Sequence, residues 1–411
     1  GNLHTEYNFN ATTYITFGYA PQVNFERSIY FDGKDDFIEM NNTLNLNPNG
    51  FTVSAWIKRD SKHSGIASIF SKRDIEFTRG YDLRILNNNS LEIIWKNEFE
   101  ENLISNTIIP NNEWHQITVI YNGVEVALYI DGVLDKAESK TAPIATNDSF
   151  NIGAAGHTNQ KQYFRGNIDE VRLWDIALSE DQLRYIMNQE ITDIGGQVMG
   201  KIMPTSITKN DINTIPWTKL AGYYPMSTFT YKNTIDASGN GAHGTLKNIS
   251  SVDKQTAPLP YKSIQKGDWD KKETWTNGSM QYIPGSRSIV DPDITIDWNI
   301  VKTSHLVKMD NSHLPTENKA NRKILGLYID ANELVLKGNT NEGNGLTISH
   351  YLNLTGKIDL EGESQLIQEL NSDLDVASSG VLEQDQQGPS DMFTYKYWSS
   401  PVGKTDIANN E

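Results

Sequence analysis

The amino-acid sequence predicts an all-β protein, with antiparallel strands in its first half and a solenoid-like β-rich region in its second half. The chain of 411 residues contains 9 Trp, 18 Tyr and 13 Phe, although hydrophobic residues make up only 37%. That mixture suits short strands that each bury one face. Asx-Gly pairs recur between short alternating segments, whereas helix patterns are scarce.

The first half carries the clearest strand patterns. Phe51–Ile57 alternates, so its apolar side chains fall on one face of the predicted strand. Trp114–Tyr121 and Glu125–Ile130 are separated by Asn122-Gly123, which predicts a hairpin because the left-handed backbone of a tight turn favours these residues. Asp131-Gly132 predicts a second hairpin immediately afterwards.

One segment, Ser179–Gln189, has a good helix pattern. Ser179 can cap its N-terminus, and acidic residues follow in the first turn. Leu183, Ile186 and Met187 form an apolar stripe at helical spacing. We expect a short helix at this point.

From about residue 264 the pattern changes to very short strands with Asn, Gly and Asp turns. The weak repetition in LNLTGKIDLEGESQLI predicts parallel rungs that bury a continuous core by stacking. The predicted strands are Ser288–Val290, Ile294–Asp297, His305–Met309, Ile324–Ile329, Glu333–Leu336, Leu346–Ile348, Leu352–Leu354, Lys357–Leu360 and Gln365–Ile367.

Charge and cysteine content exclude several classes of protein. The net charge of −16 and the pI of about 5.0 argue against a nucleic-acid partner, which requires clustered Lys and Arg. The chain has no cysteine, so disulfides, thiolate metal sites and cysteine nucleophiles are excluded. In an extracellular protein this favours a bacterial source. No apolar run is long enough to span a membrane.

Five segments of the first half resemble the laminin-G-like and pentraxin-like domains of the concanavalin A-like lectin/glucanase superfamily. They are FDGKDDFIEM (31–40), FTVSAWIKRD (51–60), NNEWHQITVIYNG (111–123), ALYIDGVLD (127–135) and GNIDEVRLWDIALSEDQL (166–183). The resemblance implies a two-sheet jelly roll. The expected fold class is therefore all-β, an antiparallel jelly-roll β-sandwich followed by a solenoid-like region.

Four parts are expected along the chain. A strand at Thr12–Tyr19 and the absence of a terminal signal at either end suggest that both ends are cuts in a longer polypeptide. LAGYYPMSTF (220–229) and DASGNGAHGTLKN (236–248) resemble the opening of another such domain without its later segments. The expected boundaries are 1–22 for the end of a preceding segment, 23–192 for the jelly roll, 193–263 for a linker or degenerate second laminin-G-like opening, and 264–411 for the truncated solenoid-like region.

The second half also resembles surface proteins of the Bacteroidetes that are exported by type IX secretion, and FTYKYWSSPVG (393–403) carries this resemblance. It implies a location at the bacterial cell surface. It also implies the secretion and outer-membrane machinery as a partner during export.

Asp32, Asp35, Asp36 and Asp169 are the candidate calcium ligands. Three of them surround a Gly turn, and Ca²⁺ prefers six to eight oxygen ligands from carboxylates and carbonyls. The resemblance adds weight, because laminin-G-like domains often carry calcium. In the alternative interpretation, the turn residues only form the turn and Asp169 is a cap or surface charge.

Trp95, Asn97, His157 and Tyr163 are the candidate glycan-binding residues, because sugar sites combine an exposed aromatic ring with planar polar groups. Lys62-His63 lies in a further candidate loop. Trp95 ends a strand, so a core position is equally compatible with its sequence. Trp56, Trp114 and Trp174 are expected in the core, and His115 is expected to be packed and hydrogen-bonded.

No catalytic constellation is apparent in the sequence. Hydrolases of the superfamily place paired carboxylates on one strand face. Asp169 and Glu170 are adjacent, so a regular strand would direct them to opposite faces. Asp268, Asp270 and Glu273 imitate the spacing but lie outside the jelly roll. Gly239-x-Gly241-x-x-Gly244 lacks the following helix that a dinucleotide site needs.

Together these features predict a non-catalytic, extracellular adhesion segment that binds a polysaccharide or cell-surface glycan. A second hypothesis is the accessory carbohydrate-binding region of a larger secreted polysaccharide hydrolase. A third is a structural stalk of a surface filament with no ligand. Flanking sequence would discriminate between the first two.

Overall fold

The computed structural model describes residues 27–74, 76–96, 100–156, 162–204, 214–227, 229–230, 233–250, 252–254, 256–275, 283–310, 321–370 and 372–385. The predicted strand at 12–19 and the phrase at 393–403 lie outside these residues. The described part is all-β, with a β-sandwich followed by a β-solenoid, which confirms the predicted fold class.

The first sheet of the sandwich has eight antiparallel strands, in the order β10-β9-β8-β3-β12-β1-β19, with β15 also paired to β12. These strands are β1 Arg27–Asp32, β3 Phe51–Arg59, β8 His115–Tyr121, β9 Glu125–Ile130, β10 Val133–Ser139, β12 Arg165–Trp174, β15 Leu220–Tyr224 and β19 Val252–Lys254. Both predicted Asx-Gly hairpins are present, as the β8–β9 and β9–β10 pairs.

The second sheet has nine strands, in the order β16-β17-β18-β2-β11-β4-β5-β6-β7. They are β2 Phe37–Met40, β4 Ala67–Arg73, β5 Gly80–Ile85, β6 Ser90–Lys96, β7 Glu100–Ile108, β11 Phe150–Ile152, β16 Phe229–Thr230, β17 Asn233–Thr234 and β18 Gly244–Lys247. Apolar side chains from the inner faces of both sheets form one core, for example Ile29 and Val53 against Ile38 and Phe70.

The sheets continue beyond residue 192. Segments 220–224 and 252–254 pair with β12 and β1, and segment 244–247 pairs with β2. The residues that resemble a second laminin-G-like opening therefore supply strands to both sheets of the one sandwich. A separate hairpin, β13 Ile191–Ile194 with β14 Gln197–Gly200, precedes them.

The predicted helix is present as α1, Glu180–Met187. Ser179 and Gln182 form a capping box, and Leu183, Ile186 and Met187 are buried. The prediction from the apolar stripe is confirmed. Among the residues that the structure describes, no helix has the length and apolar character needed to cross a membrane.

The solenoid consists of two parallel sheets that share one core. The first is β20 Tyr261–Lys262, β22 Ile300–Thr303, β24 Arg322–Ile329, β26 Gly345–Leu354 and β28 Gln365–Gln368, with β29 Asp373–Leu374 also paired to β26. The second is β21 Gly267–Asp268, β23 Val307–Met309, β25 Glu333–Leu336, β27 Lys357–Leu360 and β30 Val381–Gln384. The first four rungs each contribute one strand to each sheet, and in the last rung β28 and β29 both pair with β26.

Individual solenoid strands differ from the prediction in several places. Ser288–Val290 and Ile294–Asp297 are not strands but part of a loop with a single bridge between Arg287 and Thr295. Ile300–Thr303, not predicted, is a strand. The predicted strands at 346–348 and 352–354 are one continuous strand, whose pairing with β24 shifts register between residues 348 and 351.

The sandwich packs against the first turn of the solenoid through a buried apolar junction. Trp56 and Trp114, on the outer face of the first sheet, belong to one cluster with Tyr261, Trp298 and Val301. The Trp56 indole N–H donates to the Met187 carbonyl at 2.8 Å. Because this junction has its own buried core, the sandwich and the solenoid pack directly on each other and are not joined only by a flexible linker.

Hydrogen bonds between buried polar side chains also stabilise the same junction. Asn188 and Asn299 are both fully buried. The Asn299 amide donates to Asn188 Oδ1 at 2.9 Å, and the Asn188 amide donates to the Pro258 carbonyl at 2.9 Å. Buried amides with satisfied partners fix the register of the two surfaces.

Candidate calcium and ligand site

An acidic turn joins the first two strands of the sandwich. β1 ends at Asp32, and Gly33 takes the left-handed conformation, with φ 76°. A Cβ there would lie 2.7 Å from the Arg165 Cβ, so the position requires Gly. One carboxylate oxygen each from Asp32, Asp35 and Asp36 lies within 4.8 Å of the other two. The three acidic side chains therefore cluster, while calcium binding stays a prediction.

Burial and neighbouring like charges oppose the ionisation of Asp36 in this turn. Asp36 is 3% exposed. Burial raises the pKa of its carboxyl, a hydrogen bond from the Asp32 N–H lowers it, and the charges of Asp32 and Asp35 raise it again. That N–H donates to Asp36 Oδ2 at 2.9 Å. A cation at the turn would relieve the repulsion that opposes ionisation.

The donor set fits a calcium ion. A Ca²⁺ ion sits about 2.3–2.6 Å from each oxygen, so ligand oxygens on opposite sides of it are separated by about 5 Å. The separations among Asp32, Asp35 and Asp36 fall within that limit. The absence of nitrogen or sulfur ligands in the cluster suits a hard cation.

Tyr163 lies beside the acidic turn. It is half-buried, and its ring centroid is 6.2 Å from that of Phe37, at the start of β2. Burial and the nearby charge of Asp35 both raise the pKa of its phenol. The structure therefore brings one predicted glycan-binding residue to the predicted metal ligands.

Three further polar residues at this end were missed by the sequence analysis. The Tyr30 hydroxyl donates to Asp60 Oδ2 at 2.8 Å, and Arg165 Nε lies 3.4 Å from the same oxygen. Arg165 is also the ladder partner of Asp32. His63, from the candidate loop that the sequence analysis named, follows Asp60 and is half-buried. Such convergence of distant segments has no signal in the sequence.

Trp95 does not contribute to a ligand site. It is 0% exposed and belongs to the sandwich core, because its strand directs it between the two sheets. The prediction of Trp95 as a glycan-binding residue is corrected: it is a packing residue. Asn97 and His157 lie outside the described residues. Trp56, Trp114 and Trp174 are each 1% exposed, as expected.

Asp169 is remote from the acidic turn. Asp32 pairs with Arg165, and Asp169 lies four residues further along β12, opposite Trp56. At about 3.3 Å per residue this places it about 13 Å from the cluster. Asp169 is fully buried, so the structure does not bring it together with the other three predicted ligands.

Asp169 and Glu170 do not follow the regular alternation that the sequence predicted. The β3–β12 register shifts between Asp169 and Arg172, and Glu170 has a φ of 49°. This β-bulge buries both carboxyls, which are 0% and 2% exposed. The expectation of opposite faces is wrong, because a bulge adds a residue and breaks the period of two.

The bulge forms a buried polar network. Arg172 ion-pairs with Glu170 and donates to the Ile186 and Gln189 carbonyls, at 2.9 and 2.6 Å. The Tyr223 hydroxyl donates to Glu170 at 3.1 Å. Burial and the Glu170 charge raise the pKa of Asp169 well above its usual range, and burial raises that of Glu170 to about 7 despite Arg172.

The other predicted polar residues have structural roles. His115 is fully buried, and its Nδ1 lies 2.8 Å from Asp131 Oδ2, which confirms a packed, hydrogen-bonded histidine. Asp268 ion-pairs with Lys271, and Asp270 ion-pairs with Arg322 in the solenoid.

The fold is a two-sheet β-sandwich followed by a parallel β-solenoid. Residues 32–184 match the family model of the concanavalin A-like lectin/glucanases superfamily. This segment of the sandwich is therefore similar to the domains of that superfamily. No curated protein matches the chain.

The solved structures that are similar to this chain are distant from it in sequence. A Bacteroides ovatus protein, provisionally assigned as carbohydrate-binding, is 19% identical, with a TM-score of 0.43, over 57% of this chain and 61% of that one. The carbohydrate-binding module CBM40 of a Ruminococcus gnavus IT-sialidase, bound to α2,3-sialyllactose, is 16% identical, with a TM-score of 0.33, over 39% and 96%. Domain 4 of a Geobacillus stearothermophilus arabinanase, in complex with arabinotriose, is 20% identical, with a TM-score of 0.32, over 38% and 74%. The match to the first of these spans less than two thirds of its length.

Proposed function

We propose that the chain is a non-catalytic, extracellular segment of a cell-surface adhesion protein that binds glycans. The match of residues 32–184 to a lectin/glucanase family carries this proposal. The acidic turn and Tyr163 supply oxygen ligands and an aromatic ring at one end of the sandwich. The solenoid serves as a stiff spacer, since the buried junction couples it to the sandwich.

Calcium binding at Asp32, Asp35 and Asp36 is part of the proposal. When bound, the ion would neutralise the acidic turn and hold it in one conformation. We expect calcium to increase the free energy of unfolding of the full chain by RT ln(1 + [Ca²⁺]/Kd), which is about 2.7 kcal/mol at a hundredfold excess over Kd. The midpoint temperature of unfolding should therefore rise when calcium is added.

Asp36→Asn should abolish this shift, because an uncharged amide is a weaker calcium ligand. Asp74→Asn is the matched control, since Asp74 also caps a turn, accepting the Thr78 N–H at 2.6 Å, outside the cluster. An equal calcium shift in wild type and Asp36→Asn would remove calcium at this turn from the proposal.

Glycan binding is tested with the full chain on a polysaccharide array, with calcium and again with a chelator. Binding that the chelator abolishes supports a calcium-assembled site. Binding in both conditions supports the glycan role and contradicts the role of calcium in it. Failure to bind any polysaccharide or bacterial surface would overturn the proposal in favour of a purely structural stalk.

A further inference from the structure

A second candidate ligand site lies outside the segment that matches the lectin/glucanase family. An open groove of about 480 Å³ runs between the β13–β14 hairpin and the loop after β17. That volume is within the range of about 300–1,000 Å³ that is usual for small-ligand sites. Its lining includes Thr192, Asp193, Lys201, Trp217, Tyr223 and Ser238.

Trp217 differs from the other tryptophans of the described residues. Seven of those eight are at most 5% exposed, whereas Trp217 is half-buried and lines the groove. An indole ring that remains accessible in a groove offers a flat apolar face to a ligand.

Hydrogen bonds on two sides hold Trp217 in place. Its indole N–H donates to the Ser238 carbonyl at 2.8 Å, and its backbone N–H donates to the Gly196 carbonyl at 2.8 Å. The ring therefore needs little ordering when a ligand arrives, which lowers the entropic cost of binding.

The rim of the groove carries charges of both signs. The Lys201 ammonium lies 2.5 Å from Glu190 Oε2, and the exposed Asp193 accepts the Gly196 N–H at 2.8 Å. Thr192, which carries a hydroxyl group, lines the groove together with Asp193 and Lys201. Because the ammonium is already paired and a further carboxylate is present, the rim gives no net attraction for an anion.

The floor of the groove is rigid. Tyr223 is 1% exposed, and its hydroxyl is bound to Glu170 of the buried network. Beside it, Gly239 adjoins open space, since a Cβ at this position would meet no atom within 4 Å. The groove thus combines a fixed floor with an open mouth.

We propose that this groove binds an uncharged sugar ring of a polysaccharide, stacked on the Trp217 indole and hydrogen-bonded by the Asp193 and Lys201 side chains. A sugar ring presents an apolar C–H face and a rim of hydroxyls, which matches a flat aromatic face surrounded by donors and acceptors. This inference rests on the proposed glycan-binding function and assigns it a site separate from the acidic turn.

The test uses affinity electrophoresis of the full chain through gels that contain neutral arabinan, xylan, mannan or laminarin, or acidic polygalacturonate. At least one neutral polysaccharide should retard the wild type. Trp217→Ala should bind it about tenfold more weakly, a loss of about 1.4 kcal/mol. Trp217→Phe should retain most of the retardation, because an aromatic face remains.

A second variant, Lys201→Gln, tests the groove without changing Trp217, so the test still holds if Trp217→Ala misfolds. Its matched control is Lys271→Gln, because Lys271 is also an exposed lysine, 3.0 Å from an acidic partner. Only Lys201→Gln should weaken binding. Acrylamide quenching of tryptophan fluorescence gives an independent readout, since bound polysaccharide should shield the half-buried Trp217.

The outcomes separate the two proposals. If no polysaccharide retards the wild type, the glycan-binding function itself fails. If the wild type is retarded and both Trp217→Ala and Lys201→Gln behave like it, the groove is not the site, while glycan binding stands. Preference for polygalacturonate would contradict an uncharged ligand.

Discussion

The buried pair Asp169 and Glu170 yields a sharp prediction about stability. Burial raises both pKa values, and Arg172, whose charge also lowers the pKa of Asp169, donates hydrogen bonds directly to Glu170. We therefore expect Asp169 to retain its proton at neutral pH, while Glu170, with a pKa of about 7, is partly ionised. Asp169→Asn preserves that neutral form, whereas Glu170→Gln removes the counter-charge of a buried guanidinium.

The magnitudes follow from this assignment. An uncompensated buried charge costs about 3–5 kcal/mol, so Glu170→Gln should lower the free energy of unfolding by up to that amount at pH 7, where Glu170 is partly ionised. Asp169→Asn should leave it unchanged or raise it. A raised folded-state pKa means that the folded chain binds more protons than the unfolded chain.

The sign of the pH dependence is therefore fixed. The wild type has its full stability from this pair below about pH 4, the usual range of the Asp pKa. It loses stability relative to Asp169→Asn as the pH rises to the folded-state pKa. Each unit of pKa shift corresponds to about 1.4 kcal/mol.

Urea unfolding of both variants and the wild type, followed by circular dichroism at several values from pH 4 to 8, measures these differences. Comparison of Asp169→Asn with wild type cancels the titrating groups that do not interact with Asp169. If Asp169→Asn loses as much stability as Glu170→Gln at pH 7, or its advantage does not grow with pH, the assignment of the proton is refuted.

Three further predictions concern packing and helix capping. Gly132→Ala should destabilise by about 2 kcal/mol in thermal unfolding, because φ is 79° and the new Cβ would lie 2.9 Å from the Trp298 Nε1; no loss would contradict the tight junction. Ile348 is 0% exposed in the solenoid core, so Ile348→Ala should lower the free energy of unfolding by about 2–5 kcal/mol. Leu370 is 82% exposed, so Leu370→Ala should lower it by less than about 0.5 kcal/mol. Equal losses of the two variants in urea unfolding would refute the core assignment. Ser179→Ala should cost about 1 kcal/mol through loss of the capping box, whereas Ser179→Asp should restore most of it.

The sequence determined local structure well where hydrophobic periodicity and turn chemistry agree. The alternation of Phe51–Ile57 placed its four apolar side chains in the core, and both Asx-Gly pairs formed hairpins. The Ser179 cap and its apolar stripe specified the helix. Short apolar segments with polar turns were sufficient to predict a solenoid, because stacking is their only way to bury a core.

The tertiary structure decided what covers each face and which distant residues meet. Periodicity places Trp56 opposite the core side chains of its strand, but only the fold reveals that the solenoid buries that face. A bulge at Glu170 has no pattern in the sequence, and it converts a predicted alternation into a buried ionic network.

The same limit applies to the candidate sites. Asp32, Asp35 and Asp36 are neighbours along the chain, so their clustering at a turn could be predicted. Trp95 and Trp217 could not be assigned to core and groove, since exposure depends on segments far away in sequence. Local order follows from short-range sterics and hydrogen bonds, whereas a binding surface is made by long-range packing, which a single sequence does not encode in readable form.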